Sequence, residues 1–437
     1  MRKKTSLVLA ALGVAAAAAL FGGVLGGNRA EGTTESPRPA AAEQLLGGFA
    51  PPGDTAAYVA ELEQRVSGHA DSQAFTLLGL AYQQRARETG DPSYYPRSEE
   101  ALRRSLAIAP RSYLTVTGLA ALAASRHRFE DARGLAEQAI RLNPRSAEAY
   151  GVLGDALVEL GRYRQAFAGF DRMAALRPAL ASYSRVSYAR ELLGRPADAI
   201  AAMRLAVKAG AGTGEPAAWS LVQLGNLYFD TGRLAPAERS YRQALARFPG
   251  YVHAQAALGR VAAARGRYDT AARLYKRAVA KLPLPQYEAA LGDVLRIAGR
   301  PADGERAYAV VEATERLLRA NGVRTELETA LFDLDHGRDV AAALSRARDA
   351  YRERKSIEGD DVLAWALYKN GRCGAALVHS RRALRLGTRD ALKIFHRGII
   401  ELCLGREAAG RASLRRAFGI NPHFSLLYVP VAKDALR

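Results

Sequence analysis

The chain has 437 residues, 49% of them hydrophobic and 24% charged, with 63 Lys and Arg against 44 Asp and Glu for a formal charge of +19. That balance excludes a disordered polymer, and the length exceeds one ordinary domain unless the chain is an elongated array with no single core. The basic excess admits two readings: a surface for nucleic acid or anionic membrane, or an Arg-rich composition spread over solvated helix faces.

Arg2, Lys3 and Lys4 precede an apolar run from Leu7 to Leu25. A basic start followed by an apolar stretch is the pattern of an export signal, and the run is also about long enough to cross a bilayer. Residues 1–27 are therefore expected to be a signal peptide or a signal anchor. The body is expected outside the cytoplasm, secreted or associated with a membrane through residues 5–27. Residues 28–53 mix Pro, Gly, Ser, Thr and Ala without helical period and read as a flexible linker. Residues 54–71, "DTAAYVAELEQRVSGHA" and the residue after it, read as an N-terminal capping helix.

From there a phrase recurs. Turn glycines fall at Gly161, Gly194, Gly232, Gly266, Gly299, Gly337, Gly371 and Gly405, at intervals of 33, 38, 34, 33, 38, 34 and 34. The two long intervals carry "GAGTGEP" at 210–216 and "RANG" at 319–322, expected as short inserts between units. Seven residues before a turn glycine stands another Gly (Gly154, Gly225, Gly259, Gly292, Gly398), and five after it an Ala (Ala166, Ala199, Ala237, Ala271, Ala376). Nine after comes a large side chain (Phe170, Met203, Tyr241, Tyr275, Tyr308), and seventeen after a Pro (Pro178, Pro249, Pro283, Pro422). Pro144 keeps this register with His127 in the turn slot. Small residues let two antiparallel helices approach, and the large side chain fills the gap. The turn Gly accepts the left-handed cap, and Pro stops the second helix. One such pair cannot bury its apolar face alone, so the units must stack.

This pattern resembles the tetratricopeptide repeat, over about ten units from Ser72 to Phe424. The unit at 72–110 departs through an insert around "ETGDPSYYP", and that at 323–355 is the weakest match. The resemblance implies an all-α, right-handed superhelical solenoid over residues 72–424, with residues 425–437 as a C-terminal cap. It also implies a concave surface built from first helices. The slots that would face inward hold Glu148, Asp155, Glu159, Glu191, Trp219, Asn226, Phe229, Asp230 and Asp293. They are the expected partner-binding groove for a peptide segment of another protein. Carboxylates would meet basic side chains, Asn226 the peptide backbone, and Trp219 and Phe229 would add apolar area. Ordinary packing and solvation are the alternative for each residue singly. The carboxylate-clamp type of groove uses Lys and Asn, where these slots are mostly acidic or small, so that use is not expected.

The cations fall mostly on second helices, as with Arg233, Arg239 and Arg242. Nucleic acid needs an aligned cationic track, so no nucleic acid partner is expected. Structural spacing, or binding of anionic lipid or polymer through the basic convex face, remain the alternatives to a peptide scaffold. No phosphate loop, zincin motif or Cys-x-x-Cys pair occurs, and neither enzyme activity nor a cofactor is expected. "DLDHGRD" at 333–339 gathers Asp333, Asp335, His336 and Asp339, read as turn polarity ahead of a metal site. Cys373 opens one second helix and Cys403 closes the next first helix. Antiparallel packing puts both at the same end of the array, so either a disulfide or two buried thiols is expected.

Overall fold

The computed structural model describes residues 55–68, 70–210 and 214–437; the expected leader at 1–27 and linker at 28–53 lie outside the described residues. Helix α1 (Thr55–Gly68) is followed by ten helix pairs. Units 1 to 3 are α2 (Ser72–Thr89) with α3 (Tyr94–Ile108), α4 (Tyr113–Ser125) with α5 (Phe129–Leu142), and α6 (Ala147–Glu159) with α7 (Tyr163–Leu176). Units 4 to 6 are α8 (Leu180–Leu192) with α9 (Pro196–Ala209), α10 (Glu215–Asp230) with α11 (Leu234–Arg247), and α12 (Val252–Ala264) with α13 (Tyr268–Lys281). Units 7 and 8 are α14 (Pro285–Ile297) with α15 (Pro301–Ala320), and α16 (Glu326–Asp335) with α17 (Val340–Glu353). Units 9 and 10 are α18 (Ile357–Lys369) with α19 (Cys373–Ala383), and α20 (Ala391–Cys403) with α21 (Glu407–Ile420), after which comes α22 (Tyr428–Leu436). The described residues form an all-α repeat solenoid without strands.

Unit 3 shows how the repeated residues make a pair. The Ser146 hydroxyl caps α6 by accepting from Ala149 N, relieving one of the free N–H groups of a helix start. Gly161, at φ +72°, ends it in the left-handed region, and Arg162 N donates back to the Leu157 carbonyl at 2.8 Å. Gly154 lies under the Phe170 ring so closely that a Cβ would collide with it, and Phe170 and Ala166 are fully buried. Tyr241 sits in the same way on Gly225, and Tyr308 on Gly292. Helices α5, α7, α11, α13 and α21 each stop two residues before Pro144, Pro178, Pro249, Pro283 and Pro422, because the residue preceding a proline is driven out of the helical region.

The extra residues of two units are taken up largely as added helix. Arg319 and Ala320 of "RANG" end α15, which runs for 20 residues against 14 for α13, while Asn321 and Gly322 form the turn after it; in unit 1 the first helix α2 runs for 18 residues and residues 90–93 make the turn. Ala, Leu, Arg and Glu at those positions favour helix, so additional length is added as further turns.

The array coils until its second half lies against its first. At the turn inside unit 2, Arg324 N donates to the Arg126 carbonyl at 3.2 Å, and His127 Nδ1 donates to the Arg324 carbonyl at 2.7 Å. At the turn inside unit 3, Ile357 N donates to the Tyr163 hydroxyl at 2.6 Å and Arg354 Nε to Glu159 at 2.7 Å. Gly194 in unit 4 abuts the Gly387 carbonyl, and Gly232 in unit 5 abuts Asn421 and Pro422. Units 2, 3, 4 and 5 thus dock, in order, on the junctions that close units 7, 8, 9 and 10. Apolar side chains join the same seam: Leu318 and Val323 pack with Ala86, Tyr95 and Leu122, and Ile357 packs with Leu157 and Tyr163.

Near the C-terminal end Cys373 and Cys403 form a disulfide, with Cα atoms 6.2 Å apart, tying the start of α19 to the end of α20.

Candidate functional site

First helices face the inside of the coil, and the expected groove residues fall into two sets there. The larger set is already engaged by the chain itself. Asp155 is buried and held by Arg185 of α8, whose Nε donates at 3.0 Å to Oδ1 and Nη2 at 2.7 Å to Oδ2. Burial pushes its carboxyl up to about 6 against the pull of that guanidinium. Glu159 is buried in the seam, where Arg354 bridges it to Glu328. Glu148 accepts from Arg177 at 2.5 Å. Asn226 accepts from the Tyr241 hydroxyl at 2.9 Å and from Arg260 at 3.2 Å, and donates to Gln223. Asp293 accepts from the Tyr308 hydroxyl at 2.6 Å and from His336 Nε2 at 2.8 Å.

Trp219 and Phe229 are likewise buried, within the apolar cluster shared by units 4 to 6. The expectation that Asp155 and Glu159 meet partner cations, and that the two aromatics offer contact area, is therefore corrected. In each case the neighbouring unit or the opposing gyre reaches the side chain first.

The second set consists of Glu191 and Asp230, and the structure adds residues from units 9 and 10. Asp230 lies 3.5 Å from Arg260, whose guanidinium covers the Phe229 ring at 3.9 Å. These two charged side chains keep 48% and 39% of their surface. Asp390 and Lys393, from the second gyre, act on the same carboxylate, and burial raises its pKa. Burial also raises Glu191, up to about 8, with Asp230 and Asp390 adding to the shift. Lys393 is spent on its own neighbours, donating to Asp390 at 2.5 Å and lying 2.8 Å from Glu358. The interior thus holds Glu191, Asp230, Glu358 and Asp390 against Arg260 and Lys393. Glu358, Asp390 and Lys393 were out of reach of sequence reasoning because their proximity to Glu191 depends on gyre stacking.

The polar residues of "DLDHGRD" disperse into separate roles. Asp333 pairs with Arg346, and Asp339 caps α17 through Ala342 N. His336 Nε2 lies 2.8 Å from Asp293 Oδ1 and Nδ1 2.7 Å from the Phe332 carbonyl, so both nitrogens face acceptors and the arrangement favours the charged ring. Burial disfavours that charge, but Asp293 outweighs it and holds the imidazole above its usual value. Asp335 Oδ1 accepts from Trp365 Nε1 at 3.2 Å and from the Tyr428 hydroxyl at 2.7 Å.

That last contact exposes an unexpected occupant. Residues 425–437 were expected to cap the last apolar face, yet they reach well beyond unit 10. Leu426 packs against the apolar cluster of units 6 and 7. Tyr428 lies among Trp365 of α18, Phe395 of α20 and Asp335 of α16. The chain's own C-terminal segment therefore occupies the concave face of the second gyre.

A stacked array of antiparallel helix pairs with a lined interior defines a helical-repeat scaffold. Models of the tetratricopeptide repeat match residues 123–186 and 222–284, and the helix pairs on both sides of those segments have the same construction. The two matched segments are tetratricopeptide repeats, and such repeats support a protein–protein interaction scaffold, a class that is generally non-enzymatic. A comparison with curated protein sequences finds no match. Similar solved structures include the APC/C hetero-tetramer Cut9–Hcn1, with 17% identity, 84% of this chain and 76% of that one covered, and a TM-score of 0.39. Another is a thermophilic TPR protein of Thermus thermophilus, with 22% identity, coverage of 46% and 98%, and a TM-score of 0.38. YrrB, described as a TPR protein with an unusual peptide-binding site, has 18% identity, coverage of 42% and 93%, and a TM-score of 0.29.

Among the described residues no helix is long and apolar enough to cross a membrane.

Proposed function

We propose that this chain is a non-enzymatic adaptor that works outside the cytoplasm and holds a basic peptide segment of a partner protein on its concave face. The observation that carries the reading is the acidic surplus inside the coil, where four carboxyls, Glu191, Asp230, Glu358 and Asp390, are set against two cations, Arg260 beside Asp230 and Lys393 between Glu358 and Asp390. Like charges crowded in a place of low effective dielectric repel, and a partner Lys or Arg relieves that repulsion. Such a gain is specific, because the same side chain on the outer surface meets carboxylates already screened by water. The disulfide between Cys373 and Cys403 agrees with an oxidising compartment.

The test is crosslinked affinity capture from the cell envelope with the full chain as bait, beside a Glu191→Gln, Asp230→Asn control. The adaptor reading expects a stoichiometric protein that the control loses. Capture of the same material by both baits, or of lipid or anionic polymer alone, overturns it in favour of a spacer or a convex-face binder. Asp155 and Glu159 are unsuitable for this control, because changing either disturbs a buried ion pair.

A further inference from the structure

Resting on the reading of the concave face as a peptide surface, we infer that units 8 to 10 carry a second recognition site, one for a tyrosine-bearing segment. In this structure the chain's own Tyr428 fills it in place of a partner.

The site is a polar point within an aromatic wall. Asp335 Oδ1 accepts the Tyr428 hydroxyl at 2.7 Å and is itself fixed by Trp365 Nε1 at 3.2 Å. The phenol ring stacks on Phe395 at 5.1 Å between centroids and meets Trp365 edge-on at 5.4 Å. A half-buried carboxylate oriented by an indole N–H discriminates for a hydroxyl, because an apolar occupant would leave it without its second donor. Aromatic faces on two sides set the ring plane. Leu426, two residues before the tyrosine, enters a separate apolar patch against units 6 and 7. The chemistry recognised is therefore a leucine followed at two residues by a tyrosine.

Two observations make the resident segment a replaceable occupant. Of the nine residues of α22, only Tyr428 and Ala432 are buried, whereas ten of the thirteen residues of α18 are. In addition, His396 is fully buried, stacked on Trp365 at 4.2 Å, and its Nε2 has no hydrogen-bond partner although Nδ1 meets Asp361. The tail thus leaves polar capacity at this site unused, and a partner segment that reaches that nitrogen binds in preference.

The experiment uses the full chain and a fluorescent peptide with the sequence of residues 424–437. Wild type, its site filled in cis, should bind the peptide weakly. Tyr428→Ala, which frees the site without altering its walls, should bind it at least about tenfold more tightly. The same peptide with Phe in place of its tyrosine should lose about tenfold on the Tyr428→Ala protein, a comparison that leaves the fold untouched. Equal affinity of wild type and Tyr428→Ala overturns the displacement, and equal affinity of the Tyr and Phe peptides overturns recognition of the hydroxyl. Dimers that form by exchange of tails between copies would make a second copy the occupant, which also overturns it. None of these failures touches the adaptor reading, which stands or falls on partner capture through Glu191 and Asp230.

Discussion

Arg354 donates to Glu159, 195 residues earlier in the chain, at 2.7 Å, and both side chains are buried. In an ordinary solenoid each repeat touches only its neighbours, and stability is close to a sum of local terms. Here one guanidinium joins unit 3 to the junction of units 8 and 9, so the two gyres are coupled. Removing one partner of a buried pair costs about 3–5 kcal/mol, because the survivor keeps its desolvation penalty. Glu159→Ala is expected to lose that amount in urea unfolding. It should also accelerate amide exchange in α18, although α18 lies far from residue 159 in sequence. Because Arg354 also pairs with Glu328, recovery of much of the loss should need Glu159→Met, Arg354→Met and Glu328→Gln together.

Gly194 offers a steric probe of the same seam. It has φ +68° and faces the Gly387 carbonyl so closely that a Cβ would collide with it, while Gly299 has φ +77° with open space around it. Gly299→Ala should cost only the left-handed strain, about 1–2 kcal/mol. Gly194→Ala carries the same strain plus separation of the gyres, and is expected to lower Tm further. Thermal unfolding of the two variants side by side measures the difference.

Proton linkage should be visible between pH 5 and 8. Glu191 is raised from 4.5 to about 8 by burial and by Asp230 and Asp390, with Lys393 opposing. Between those values the folded chain holds a proton that the unfolded chain releases, so stability falls as pH rises through the window. Glu215, Glu288 and Glu315, each raised to about 7 with burial the largest cause, act in the same direction. Tm should therefore rise as pH is lowered from 8 to 5, and Glu191→Gln should flatten part of that slope. A cationic peptide that docks beside Glu191 should release protons near pH 7, measurable as a buffer-dependent enthalpy in titration calorimetry.

Reduction should weaken the C-terminal units selectively. The bond between Cys373 and Cys403 closes an interval of 30 residues, for which loop-closure entropy gives about 3–4 kcal/mol. Reductant is expected to lower Tm for the wild type and leave a Cys373→Ser, Cys403→Ser variant unchanged. Exchange protection should fall first in α19 and α20.

Much of the fold is legible in the sequence because the repeated residues act locally. Gly154 beneath Phe170, the left-handed Gly161 and the stop before Pro178 each concern contacts within one unit or the next. Every copy repeats the signal, so even the weakly matching unit at 326–353 pairs as its neighbours do. Site residues were less legible for the opposite reason. Whether Glu159 faces solvent or a guanidinium depends on Arg354, and whether Glu191 is crowded depends on Asp390. No periodicity links either pair.

By itself the sequence determined the unit: its two helices, the turn between them, the proline that ends it and the stacking that follows from an apolar face on both sides. Those outcomes rest on backbone preference and short-range packing, which neighbouring residues fix. Only the tertiary structure decided which inward residues remain available. One gyre settles on the other through contacts some 195 residues apart, burying Glu159 with Arg354 and bringing Asp390 and Lys393 near Glu191 and Asp230. The same coiling brings Tyr428 to Asp335, 93 residues away in the chain. Pitch accumulates from small rotations between successive units, so these encounters belong to the whole coil.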